Sequence, residues 1–174
     1  MSETWLSKSF PTGSINIYGY DTIIRTVREN DSRGGGTLLM VRNGLNAVGR
    51  PDLIGWSEST WIEIKLPKQV LGCLYRPPCT NPADFADALE SSLSKIDSHH
   101  KIVLVGDFNA TSPHWCSTDS FSDAGKALAL SFSTFGLHQH VQSLTHIRPD
   151  GKLGGLLDVV LTNEKFRKLQ GIHR

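Results

Sequence analysis

Cysteine is scarce in this chain of 174 residues: Cys73, Cys79 and Cys116 are odd in number, and none sits in a C-x-x-C pair. Neither a disulfide framework nor a structural zinc site is expected, and the thiols are read as reduced. Net charge is almost absent as well, with 18 Lys and Arg against 17 Asp and Glu. That balance points to no class of partner and leaves a single local positive groove open. No apolar run approaches the ~18 residues that a membrane span needs, and the first thirty residues hold no apolar signal core. The expected setting is nuclear or cytoplasmic, not secreted, with no membrane partner and no stable protein partner. In such a setting the sequons Asn30-Asp31-Ser32 and Asn109-Ala110-Thr111 carry no weight. Metal-ligand spacing is missing among His99, His100, His138, His140 and His146.

What is present reads as one domain over residues 1–174. From Ile15 to Leu74 the runs INIYGY, TIIRTV, TLLMVR, WIEIKL and VLGCLY are short, β-branched or aromatic, and separated by Gly, Asn, Asp and Pro, which predicts strands. SRGGGT, Ser32 to Thr37, lacks the GK[ST] of a phosphate-binding loop and reads as a flexible hairpin turn. Phe85, Ala88, Leu89, Leu93 and Ile96 recur at helical spacing, predicting a helix over Pro82 to Ile96 capped by Asn81. Its Asp84, Asp87 and Glu90 read as a solvated face. A strand follows at Ile102 to Val105, then a helix over Asp123 to Phe135 and a strand at Leu156 to Thr162. This interleaving predicts an α/β sandwich, because helices that follow strands pack on sheet faces.

The polar end of the strand IVLVGDFNAT is the first chemical clue. In extended chain, residues two apart share a side, so Asp107 and Asn109 are expected to project together past Gly106. Ligands of α/β folds gather at carboxyl ends of strands, where such a pair can hold a water, a phosphate oxygen or hydrated Mg²⁺. The same residues can equally form an Asx-turn that ends the strand. Asp158 lies inside the apolar run LLDVVL, where an unpartnered carboxylate is costly, so a polar cleft or an imidazole is expected beside it.

SETWL at the start, CLYRPP at Cys73 to Pro78, VGDFNA at Val105 to Ala110 and SLTHIRPDGKLGGLLDVVLTN from Ser143 form an ordered series. The series resembles the endonuclease/exonuclease/phosphatase family, and looks most like the endonuclease domain of non-long-terminal-repeat (LINE-type) retrotransposons, over nearly the whole chain. The resemblance implies a four-layer α/β sandwich, two mixed sheets face to face with helices outside, that cuts DNA phosphodiesters with Mg²⁺ or Mn²⁺. It implies Glu3 as the metal ligand and Tyr75 as a hydroxyl donor to a phosphoryl oxygen. It implies Asp107 and Asn109 as the pair that positions the attacking water, and Asp158 as the carboxylate that orients a catalytic histidine. Thr145 and His114 are implied substrate contacts, as is Arg76, which reads either as a charge-assisted bond to phosphate or as a surface salt bridge.

The series departs from the family at both ends. Only Met1 and Ser2 precede Glu3, where the family has a strand with an asparagine, and no S-D-H motif follows LLDVVLTN. His173 has no preceding Asp and is given no catalytic role. The expectation is a partial domain, incomplete at its terminal strands, with impaired nicking because general acid–base catalysis contributes typically about 10²–10⁴-fold. Two other readings stay open. One is a non-catalytic remnant that binds DNA through Arg76, Lys165, Arg167, Lys168 and the glycine turn; the other is a phosphodiesterase or phosphatase acting on a small substrate.

Overall fold

A computed structural model describes residues 1–28, 34–117 and 120–164, with 21–23 described by backbone only. Lys165, Arg167, Lys168, His173 and the sequon at Asn30 lie outside the described residues, as do Ser32 and Arg33 of the glycine turn. Two sheets form. Strands β1 (Tyr20–Thr26) and β2 (Thr37–Arg42) pair antiparallel. The second sheet has six strands in the order β3-β4-β5-β6-β8-β7: Ala47–Gly49, Ser59–Ile64, Gln69–Tyr75, Lys101–Asp107, Asp158–Thr162 and His138–Gln139. Only β5 and β6 run parallel, joined by the crossover helix α1 (Pro82–Leu93). Helix α2 (Asp123–Thr134) links β6 to β7.

Strand alternation sends successive side chains to opposite faces, and the core sorts accordingly. Val70, Leu74, Ile102, Leu104, Val159 and Leu161 pack with Phe85, Leu89, Leu128 and Phe132 of the two helices. Cys73, with Leu71 and Val105 beside it, instead meets Leu39 and Val41 of β2. Each fully buried Leu or Phe contributes about 1.5–3 kcal/mol, more than either helix cap at about 1 kcal/mol, so packing on the sheet holds the helices. The described residues thus supply helix, six-stranded sheet and two-stranded sheet as successive layers. Tyr75 and Asp107 end their strands, and Asp158 begins β8, on the face that looks toward the two-stranded sheet, each in parity with Cys73 and Val105.

Several elements differ from expectation for local reasons. INIYGY is not a strand: Ile17 makes an isolated bridge to Tyr20 around Gly19 at φ 86°, a tight turn that only glycine accommodates easily. Helix α1 ends at Leu93 rather than Ile96, although Ile96 still packs against the core. Asn81 caps it as expected, accepting from the Ala83 amide at 3.0 Å. Glu90 is not simply solvated, because it accepts a 2.6 Å hydrogen bond from the Ser131 hydroxyl and ties α1 to α2. Strands β3 and β7 are too short to leave a periodic signature.

Candidate active site

Backbone register builds the centre of the site. Tyr75 pairs with Asp107, and Asp107 pairs with Asp158, so three polar side chains stand abreast at one edge of the inner face. Glu3 arrives from the other sheet. Ser2 bridges Thr37, and Thr4 N–H donates to the Gly36 carbonyl at 3.2 Å, laying the amino-terminal segment beside β2. The Tyr75 hydroxyl then donates to Glu3 Oε1 at 2.9 Å. Burial, reinforced by Glu3, pushes the Tyr75 phenol upward, so it keeps its proton throughout the neutral range. Burial also raises Asp107 to about 6; the Asn109 amide opposes the shift, whereas the Asp158 and Glu3 charges add to it. Three carboxylates therefore share one field at the mouth between the sheets.

The turn after Asp107 is tightly fixed. Gly106 has φ 153°, and a methyl group there would overlap the Leu74 carbonyl oxygen, so glycine is what lets β6 approach β5 this closely. Asn109 adopts φ 45°, which ends the extended chain at Asp107 and overturns the expectation that Asp107 and Asn109 project side by side. Instead the Asp107 carboxylate accepts from the Asn109 amide at 2.9 Å, an Asx-turn, while Asn109 Nδ2 donates to the Arg76 carbonyl at 2.9 Å. Arg76 is not a surface phosphate contact. It is 3% exposed, and its guanidinium donates to the carbonyls of Phe108, Asn109, Pro77 and Thr80. Thr145 accepts from the Leu157 and Asp158 amides at 3.1 and 3.0 Å, which fixes where β8 begins.

Residues 70–173 match the family described as endonuclease-reverse transcriptase. The chain belongs to that family. Among solved structures, the endonuclease domain of TRAS1, a telomere-specific non-LTR retrotransposon, superposes with a TM-score of 0.68 at 16% identity, covering 83% of this chain and 67% of the other. An AP endonuclease from Archaeoglobus fulgidus superposes with a TM-score of 0.63 at 16% identity, covering 94% and 74%. No curated protein sequence matches the chain. At such identities the likeness shows a shared fold, the two-sheet α/β arrangement expected from the motif series.

In this endonuclease-reverse transcriptase family member the site has a second layer that sequence reasoning missed. Glu58 is 5% exposed; it accepts from Arg28 Nε at 2.9 Å and from the Gly36 amide at 2.7 Å, and its carbonyl accepts the Tyr75 amide. Arg28 also lies over the Tyr75 ring, 5.9 Å from its centroid. A buried glutamate just ahead of the apolar run STWIEI was the available signal, since such a charge requires a partner. Glu58→Ala is expected to cost about 3 kcal/mol, the low end for breaking a buried pair, because Arg28 keeps some contact with water. Urea unfolding measures this, and a loss below about 1 kcal/mol would show that the pair does not brace the site.

The structure does not gather every expected residue. His114 packs edge-on against Phe121 at 5.2 Å and lines a cavity with Trp115, Leu130 and Leu137 beside α2, outside the carboxylate row. Asp158 is exposed, and no imidazole is hydrogen-bonded to it among the described residues, so the expected histidine partner is not found there. No group of three His, Cys, Asp or Glu side chains forms a ready-made metal cage among the described residues. Mg²⁺ nevertheless asks for only one or two carboxylates and keeps several waters. Glu3, a hard-oxygen donor resting on the Tyr75 hydroxyl at the mouth between the sheets, fits such an open and hydrated site.

Proposed function

We propose that the row of Glu3, Tyr75, Asp107 and Asp158 hydrolyses DNA phosphodiester bonds as a nicking endonuclease dependent on Mg²⁺ or Mn²⁺. The observation that carries this reading is the register that sets Tyr75, Asp107 and Asp158 abreast, with Glu3 on the Tyr75 hydroxyl; the Asp107 carboxyl, raised to about 6 by burial, agrees with it. A base with its pKa just below neutral pH is largely ionised yet still holds a proton usefully. Asp107 accepts the proton of the attacking water as its oxygen bonds to phosphorus and the P–O ester bond breaks, the leaving alkoxide taking a proton from solvent, and the Asx-turn with Asn109 holds the carboxylate in place. Tyr75 donates to a phosphoryl oxygen as negative charge develops there, using the hydroxyl that otherwise rests on Glu3. Glu3 is the residue that would hold a divalent ion, whose contribution is charge neutralisation at the phosphate. Thr145 acts through the backbone by placing Asp158, and Arg76 by clamping the 107–109 turn.

Relaxation of a supercoiled plasmid tests the reading. Nicking is expected with Mg²⁺ or Mn²⁺, lost in EDTA, and lowered about 10²-fold or more by Tyr75→Phe, the usual effect of removing one transition-state donor. Absence of nicking in both metals, or nicking indifferent to Tyr75→Phe, would sink it. The alternative of a purely DNA-binding module loses Arg76, whose guanidinium is buried and already engaged by main-chain carbonyls.

A further inference from the structure

The glycine run that the chemistry above does not use supports an exposed aromatic. Trp5 is 64% exposed although tryptophan is among the residues with most to gain from burial. Its backbone adopts φ 58°, and Glu3 adopts φ 53°, so two side-chain-bearing residues within three positions take the left-handed conformation. The surroundings enforce it: Trp5 N–H donates to the Gly35 carbonyl at 3.0 Å, and Thr4 N–H donates to that of Gly36. All three glycines, Gly34, Gly35 and Gly36, have positive φ. A methyl group at Gly34 would sit 3.8 Å from the indole and 3.6 Å from an Arg28 nitrogen, so the ring leans on the glycine turn beside a guanidinium. At Gly36 a methyl group would press on the Thr4 hydroxyl at 2.8 Å. Constrained backbone that holds a bulky side chain toward solvent, two residues from Glu3, is a hallmark of a binding position.

We propose that Trp5 is a stacking platform for an unpaired nucleobase next to the phosphodiester being cut, on single-stranded or locally opened DNA. This rests on the nucleic-acid reading of the neighbouring row. A base within an intact duplex cannot offer its face to the indole, whereas an unstacked base can, and stacking tolerates any base because each has a π-face.

Fluorescence anisotropy of a labelled oligothymidine, in EDTA so that no cutting occurs, reads the effect on the full chain. Trp5→Ala is expected to weaken binding roughly 5- to 150-fold, and Trp5→Phe to restore most of it. The salt slope should not change, because no phosphate contact is lost. An oligonucleotide abasic throughout should bind wild type and Trp5→Ala alike. Equal binding of oligothymidine by wild type and Trp5→Ala overturns the proposal, and so does an equal loss on the abasic strand. Absence of oligothymidine binding by wild type overturns it too. Base-dependent binding without metal-dependent nicking would sustain the platform while defeating the endonuclease reading.

Discussion

Asp107→Asn is expected to cut nicking by about 10²–10⁴-fold while making the metal-free fold more stable above pH 6. The two effects share a cause. The folded chain holds the Asp107 proton up to about pH 6, against an ordinary 3.8, because burial and the Asp158 and Glu3 charges disfavour the anion. Between those values the folded state binds more protons than the unfolded state, so stability falls as pH rises from about 4 to about 6 and stays reduced above. Asparagine carries no such penalty. After discounting for the part of Asp107 still open to solvent, the gain at pH 8 is about 1 kcal/mol, and it should vanish at pH 4. Urea unfolding of both proteins in EDTA measures the gap. A gap equal at both pH values, or a wild type that is the more stable at pH 8, would refute the electrostatic account.

Gly106→Ala is expected to destabilise the fold by more than about 4 kcal/mol, or to prevent folding, since the added methyl meets the Leu74 carbonyl within the sheet. Neither strand can step aside, because β6 is bonded to β5 on one side and β8 on the other. Gly136→Ala is the control. Gly136 also has a positive φ, 60°, but open space around it, so its substitution should cost only about 1–2 kcal/mol of backbone strain. If the two variants unfold at the same urea concentration, close approach of β5 and β6 is not what Gly106 provides.

Much of this was legible from residues alone. The runs TLLMVR, WIEIKL and VLGCLY become β2, β4 and β5, and the helices begin where expected, behind the Asn81 cap and at Asp123. The register of Tyr75, Asp107 and Asp158 could not be read, because pairing across strands is fixed by the packed sheet and not by any one strand's composition. Arg76 was misplaced for a related reason. An arginine beside Tyr75 at the end of a strand looks like a phosphate ligand until the carbonyls of residues 77, 80, 108 and 109 are seen to converge on it. Asn109 misled through an assumption of extended chain that its φ of 45° breaks. Arg28 and Glu58 went unnoticed because their meaning lies in a contact thirty residues apart.

The way Glu3 reaches the site carries a kinetic implication. Its segment is fastened by the Ser2 bridge and the paired Met1–Leu38 backbone bonds to β2, and by the Thr4 and Trp5 amides on the Gly36 and Gly35 carbonyls, whereas Tyr75 and Asp107 sit deep in a six-stranded sheet. Such a strap can peel away in a sub-global opening that leaves the main sheet intact, at a free-energy cost well below that of global unfolding. Each such excursion removes Glu3 and the Tyr75 hydrogen bond together. The working fraction of molecules would then be governed by how tightly that segment re-anneals on the Tyr75 hydroxyl and on the backbone of Gly35, Gly36 and Leu38.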